Sequence, residues 1–219
     1  MASLGGADSA GPNSWSTGTN PTVRSHRMRL KQMTGSFRVA TFASNRFRTV
    51  ADLQTQVQQA TASSVRYFTV DVGLGDLCAG TPLETFRARL AKALTTLSKS
   101  PVVQEKGRAS DQREILLVSI ENLAQHWRVL GSKSDLGCGL GAGAAVARIQ
   151  RRTVALNDIM ARVCYRTTGC LFDAGARYGM PLRANYFSSV DPRRLSVKGE
   201  RALAATEWRP ARTLLAALS

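Results

Sequence analysis

The sequence predicts an α/β fold, a three-layer sandwich in which helices cover both faces of a parallel sheet. Three observations carry this reading. Strand-like and helix-like segments alternate along the chain, the signature of parallel strands joined by crossover helices. Hydrophobic residues make up 43% and charged residues 21%, enough apolar surface to build a core. The length, 219 residues, fits one domain with at most a short tail.

The elements follow in order. Residues 5–21 are rich in Gly, Ser, Asn, Thr and Pro and read as loop. That leaves residues 2–4 for a first strand, where such a fold uses about five residues. Residues 23–33 (VRSHRMRLKQM) have helical spacing at Val23, Met28 and Leu30. Residues 37–42 (FRVATF) alternate and predict a strand. Residues 50–62 put Val50, Leu53 and Val57 on one helical face. Residues 66–72 (RYFTVDV) are β-rich and end at Gly73 and Gly75. Residues 83–97 form an amphipathic helix, with Thr81 and Pro82 as start signals. Residues 114–120 (EILLVSI) read as a buried strand, residues 131–143 as a Gly-rich loop, and residues 144–164 as a long helix. A short strand at 170–173 (CLFD) and a helix at 197–208, capped by Ser196, complete the series. In a sheet of this kind the chemistry gathers at the carboxyl ends of the strands.

Composition excludes several function classes. Lys and Arg total 30 against 15 Asp and Glu, a net charge of +15. Such a balance favours acidic partners. Arginine outnumbers lysine by 24 to 6, however, and is spread along the chain. Its clusters (residues 24–29, 148–152 and 193–194) are short and lack interleaved aromatics. No specific nucleic-acid recognition is expected, only salt-sensitive adhesion. No run of about 18 apolar residues exists, so no spanning helix is expected. Residues 1–15 have neither a basic nor an apolar signal region, so the chain as written is expected in the cytoplasm. Two histidines, His26 and His126, are too few for a multi-histidine metal site. Gly137, Gly139, Gly141 and Gly143 imitate a phosphate-binding loop, but no strand directly precedes them and no Lys-Ser/Thr follows, so they read as plain loop.

The four cysteines are Cys78, Cys138, Cys164 and Cys170, with no CxxC among them. Cys164 and Cys170 flank a helix-to-strand turn where a short bridge is sterically reasonable; free buried thiols are the alternative. Bridged cysteines would place the working compartment among oxidising ones.

Four segments lie at or near the predicted strand ends or open the helices that follow: residues 4–11 (LGGADSAG), 50–53 (VADL), 73–78 (GLGDLC) and 191–196 (DPRRLS). In this order they resemble the conserved blocks of the SGNH (GDSL) hydrolases, of the secreted actinobacterial esterase/lipase type. Leu4-Gly5-Gly6-Ala7-Asp8-Ser9-Ala10-Gly11 is similar to the first block, Gly-Asp-Ser-x-x-Ala-Gly. Val50-Ala51-Asp52-Leu53 is similar to the tail of the second. Gly73-Leu74-Gly75-Asp76-Leu77-Cys78 resembles the third, Gly-x-Asn-Asp. Asp191-Pro192-Arg193-Arg194-Leu195-Ser196 resembles the last, Asp-x-x-His-Pro-Ser. The resemblance runs to Trp208, which makes residues 1–208 one domain and residues 209–219 a tail. It implies a flavodoxin-like sandwich, hydrolysis of a small-molecule or lipid carboxylic ester, no metal or organic cofactor, and a monomer. It also implies a Cys78–Cys138 bridge, and secreted relatives.

Residue by residue, the catalytic set departs from the family pattern. In the family a first-block serine attacks the ester, a last-block histidine is its base, and an aspartate three residues earlier orients that histidine. Here the serine position is Ala7, the oxyanion-hole glycine of the second block is Phe47, the asparagine is Gly75 and the histidine is Arg194; Asp191 is kept. Arginine stays charged and cannot accept a proton near neutral pH. The expectation is a catalytically impaired or inactive hydrolase. Ser9, in a displaced Asp8-Ser9 pair, is the one substitute nucleophile, or else an ordinary loop serine. His126 could reach the cleft or pack beside Trp127. Asp191 reads as half of a surface ion pair with its neighbouring arginines, and Asp76 as a residue bonded to its own loop. Two alternatives stand beside this reading: a non-catalytic protein holding an anionic ligand through Arg194, and a basic nucleic-acid-associated protein.

Overall fold

The computed structural model describes residues 1–5, 11–35, 39–43, 49–100, 113–131, 144–192 and 194–216. Five strands form one parallel sheet: β1 (Ala2–Gly5), β2 (Ala40–Thr41), β3 (Tyr67–Asp71), β4 (Glu114–Val118) and β5 (Cys170–Phe172). Their order across the sheet is β2-β1-β3-β4-β5. β1 is short, but it is paired on both sides, with Gly5 opposite Asp71 in β3.

Seven helices are described: α1 (His26–Thr34), α2 (Val50–Thr61), α3 (Leu74–Ala79), α4 (Leu83–Lys99), α5 (Leu123–Leu130), α6 (Ala144–Tyr165) and α7 (Val197–Ala216). The two-residue period of the strands sorts their side chains onto opposite faces. Ala2, Leu4, Phe68, Val70, Ile115 and Leu117 meet α2, α4 and α6 in one core. Tyr67, Leu116 and Val118 meet Trp15, Leu30 and the apolar side of α7 (Leu203, Ala204, Ala211, Leu215) in the other. The molecule is therefore the expected three-layer α/β/α sandwich.

Local chemistry sets the element boundaries. α2 starts at a capping box, in which Thr49 and Asp52 satisfy each other's backbone N–H groups. Its far end is closed by buried Arg113, whose guanidinium donates to the carbonyls of Ala60, Thr61, Ser63 and Ser100. Cys164 and Cys170 are joined in a disulfide across the turn from α6 to β5. Cys78 is also disulfide-bonded; Cys138, its implied partner, lies outside the described residues.

Several elements differ from expectation. The glycine turn after β3 is the helix α3, and residues 123–130, to which the sequence pattern assigns no element, are α5. Asn122 caps α5 by accepting from Ala124 N and Gln125 N. Pro82 occupies the N-cap of α4 and Thr81 lies outside it. Strand pairing stops at Thr41 for β2 and at Phe172 for β5. Helix α7 runs past Trp208 and through Pro210 to Ala216. Ala211 and Leu215 are buried in the second core, so residues 209–216 continue the domain instead of trailing from it. The glycine-rich segment 137–143 lies outside the described residues.

Candidate active site

The strand order locates the site. The chain leaves β1 toward α1 on one face of the sheet and leaves β3 toward α4 on the other. Diverging connections open a crevice between the carboxyl ends of these two neighbouring strands.

Gly5 forms the β1 side. Its φ is +103°, and a Cβ there would lie 1.7 Å from the carbonyl oxygen of Asp71. Only glycine fits this approach. The Gln56 side chain, reaching from α2, fixes the backbone: Gly5 N donates to Gln56 Oε1 at 2.6 Å, and Gln56 Nε2 donates back to Gly5 O at 3.5 Å.

The β3 side is built by Gly73 and α3. Gly73 has φ +108° and lies against Ile120, leaving no space for a side chain. Buried Gly75 and Asp76 follow. Asp76 Oδ2 accepts from Val50 N at 2.7 Å, which ties α3 to the start of α2. This bond reaches beyond its own loop, across the fold to a neighbouring helix. Burial raises the Asp76 pKa, and the bond from Val50 opposes that rise.

Beyond β4 and β5 lies a polar cluster on the α7 side. Asp173 Oδ2 accepts from Ser119 N at 3.0 Å, Ser119 Oγ at 2.7 Å and Arg177 N at 3.2 Å. Ser119 Oγ in turn accepts from Tyr178 N. That serine is buried and its hydrogen bonds are committed, so it cannot serve as a nucleophile. Arg177 Nη1 donates to Asp71 Oδ2 at 2.6 Å, and its Nη2 lies 4.0 Å from Glu121 Oε2. Glu207 of α7 is fully buried nearby. Burial, then the charge of Asp173, pushes its pKa well above the carboxylate range. Sequence reasoning passed over this cluster. The available signal was that Asp71 ends β3 and Asp173 directly follows β5, at the same edge of the sheet.

The last-block loop is a short hairpin closed by a bridge between Phe187 and Leu195. Ser188 Oγ accepts from Val190 N and Asp191 N. Inside it, Arg194 Nε lies 3.4 Å from Asp191 Oδ2, with side-chain exposures of 62% and 28%. The two are joined as an ion pair. Ser196 then caps α7 by accepting from Gly199 N.

Both histidines are held elsewhere. His126 is buried edge-on to Phe187, with ring centroids 4.4 Å apart. Burial lowers its pKa, with Glu121 opposing. His26 lies between Trp15 and Trp208, its Nδ1 2.9 Å from Tyr67 Oη. Burial, reinforced by Arg29, lowers its pKa to about 3. Neither is presented to solvent as a base. Ala7, Ser9 and Phe47 lie outside the described residues. Among the described residues no group of three or more His, Cys, Asp or Glu side chains could hold a metal ion. No helix among them is long and apolar enough to cross a membrane.

No protein-family model and no curated protein matches the sequence. Among solved structures, the crystal structure of TesA superposes with a TM-score of 0.65 at 14% identity, covering 98% of this chain and 99% of that one. At that identity the likeness concerns the fold, which is the SGNH-like fold of TesA.

Proposed function

We propose that this chain is an SGNH-type, esterase-like protein whose catalytic set has decayed, leaving it inactive or nearly so. One observation carries the reading. Arg194, three residues beyond Asp191, stands where the family pattern has its histidine, and it is ion-paired to that aspartate. A guanidinium remains protonated at neutral pH, so it cannot take the proton of an attacking hydroxyl. Neither histidine can replace it, since both are buried in contact with aromatic rings. Gly75 offers no side-chain amide to a developing oxyanion. Losing the base together with an oxyanion donor removes most of the rate enhancement of such a site.

The proposed location is an oxidising compartment, in keeping with the Cys164–Cys170 disulfide.

The test is hydrolysis of a short-chain p-nitrophenyl ester by the purified, folded protein, with Ser9→Ala as control. The expected result is no turnover above buffer in either protein. Turnover that disappears in Ser9→Ala would overturn the reading and make Ser9 a working nucleophile.

The exposure of the Arg194 guanidinium favours a second reading, a non-catalytic protein that holds an anionic ligand at this loop. It predicts thermal stabilisation by small carboxylates or phosphate that Arg194→Ala removes.

A further inference from the structure

We propose that the outer face of α1 and α7 is a docking surface for the phosphate backbone of nucleic acid, read without regard to sequence.

These two helices cover one face of the sheet, and their solvent side carries one sign of charge. Lys198, Arg201, Arg209 and Arg212 follow one another along α7 at spacings of three, eight and three residues, all exposed. At 100° per residue these positions fall within one narrow sector, a row about 21 Å long at 1.5 Å rise per residue. Arg24, Arg27 and Lys31 make a shorter row on and just before α1. Between the two helices the Arg29 guanidinium lies over the Trp208 ring, 5.5 Å from its centroid, while its Nε donates to Arg24 O at 2.8 Å. Partial burial, then the nearby charges of Arg24 and Arg201, lower the Arg29 pKa. Arg29 therefore sits within reach of the charges of Arg24 and Arg201.

Among the described residues, α1 and α7 expose no anion that would offset this charge. α1 contains no acidic residue, and both acidic residues of α7, Glu200 and Glu207, are buried. Among the described residues none of the eight cations forms an ion pair with a carboxylate. The opposite face differs, for there Asp158 and Glu84 are interspersed with the cations of α4 and α6.

Chemistry selects phosphate on a polymer. Six of the eight cations are arginine, whose planar fork matches phosphate oxygens in pairs. An extended row of charges suits a linear polyanion, because each neutralised phosphate releases a condensed counterion. A lipid surface would call for an apolar row beside the cations. Met33 is the one large hydrophobic residue of α1 and α7 that is strongly exposed, and the apolar side of α7 is spent on the core.

The test is fluorescence anisotropy of a labelled 30-base-pair DNA duplex against the full chain, titrated with salt. Three proteins are compared: wild type, Arg201→Glu/Arg209→Glu/Arg212→Glu, and a control of equal charge change on the other face, Lys92→Glu/Lys99→Glu/Arg162→Glu. Wild type is expected to bind two unrelated duplexes alike. The α7 variant should bind at least tenfold more weakly, and its slope of log K against log salt should be shallower by about 2 to 3. The control should stay within about threefold of wild type. Should the triple variant not fold, Arg201→Gln and Arg209→Gln are each expected to reduce the slope by about 0.9. Equal losses in the α7 variant and the control would overturn the proposal, because net charge alone would then explain binding. So would binding to vesicles containing phosphatidylserine without binding to DNA.

Discussion

A methyl group at residue 5 would overlap the backbone of the neighbouring strand. Gly5→Ala is therefore expected to cost at least about 3 kcal/mol, because both the positive φ and the contact with Asp71 must be relieved. Urea unfolding of the variant measures this; a loss below 1 kcal/mol would refute the close approach. Glu207 makes the second prediction at this scale. Its folded pKa is raised by burial, so the native protein keeps a proton that the unfolded chain releases above about pH 4.5. The stabilisation is present in full below that pH. It is lost at about 1.4 kcal/mol per unit as pH rises toward the folded pKa. Glu207→Gln removes the proton from the balance. The variant should match wild type near pH 4 and exceed it in stability at pH 8. His26 works in the opposite sense: its folded pKa of about 3 lies below the unfolded value, so its contribution fades as pH falls from about 6.5. Comparing the two proteins at each pH cancels that effect. Individual residues also mark how far a sequence can be read. Asp191 and Arg194 lie three positions apart on a Pro-containing turn, so their pairing is a local matter and was visible. Arg177 and Asp71 are separated by 106 positions, and only the docking of strands β3 and β5 in one sheet brings them together.

Elements were legible where period and length agreed. Strands β3 and β4 and the long helices α2, α4 and α6 stand close to their expected bounds, whereas of residues 37–42 only Ala40–Thr41 pair as a strand among the described residues. α5 spans two turns, too few for a 3.6-residue period to declare itself, although Asn122 was there as a cap. α3 was hidden by Gly73 and Gly75, which read as a turn. Gly73 is in fact the left-handed residue that starts the helix. At α7, Pro210 suggested a stop. The proline gives no N–H to the Thr206 carbonyl, yet burial of Ala211 and Leu215 carries the helix on. Removing residues 209–219 should therefore destabilise the protein by several kcal/mol, since it strips two buried apolar side chains from the second core. Thermal unfolding of the truncated chain checks this. An unchanged midpoint would show that the segment is a tail after all.

On the scale of the whole molecule, the fold and the position of the crevice follow from strand order, while the chemistry of the crevice follows from a few substitutions within it. A sandwich can keep its layers when its reactive residues are replaced, because packing is carried by the two cores and not by the loops at the strand ends. The two cores differ in when they can form. The one bounded by α2, α4 and α6 draws on residues up to Phe172. The other needs α7: Trp15 N donates to Glu200 Oε2 across 185 positions, and Trp15 and Trp208 enclose His26 from the two ends of the chain. On a ribosome the first core can therefore assemble while the second still waits for its last helix. During that interval Trp15, Leu30, Tyr67, Leu116 and Val118 lack the cover that Leu203, Ala204, Ala211 and Leu215 supply. The nascent protein passes through a half-closed stage with a sticky apolar face, and a chaperone that shields this face until translation ends would guard the step most open to aggregation.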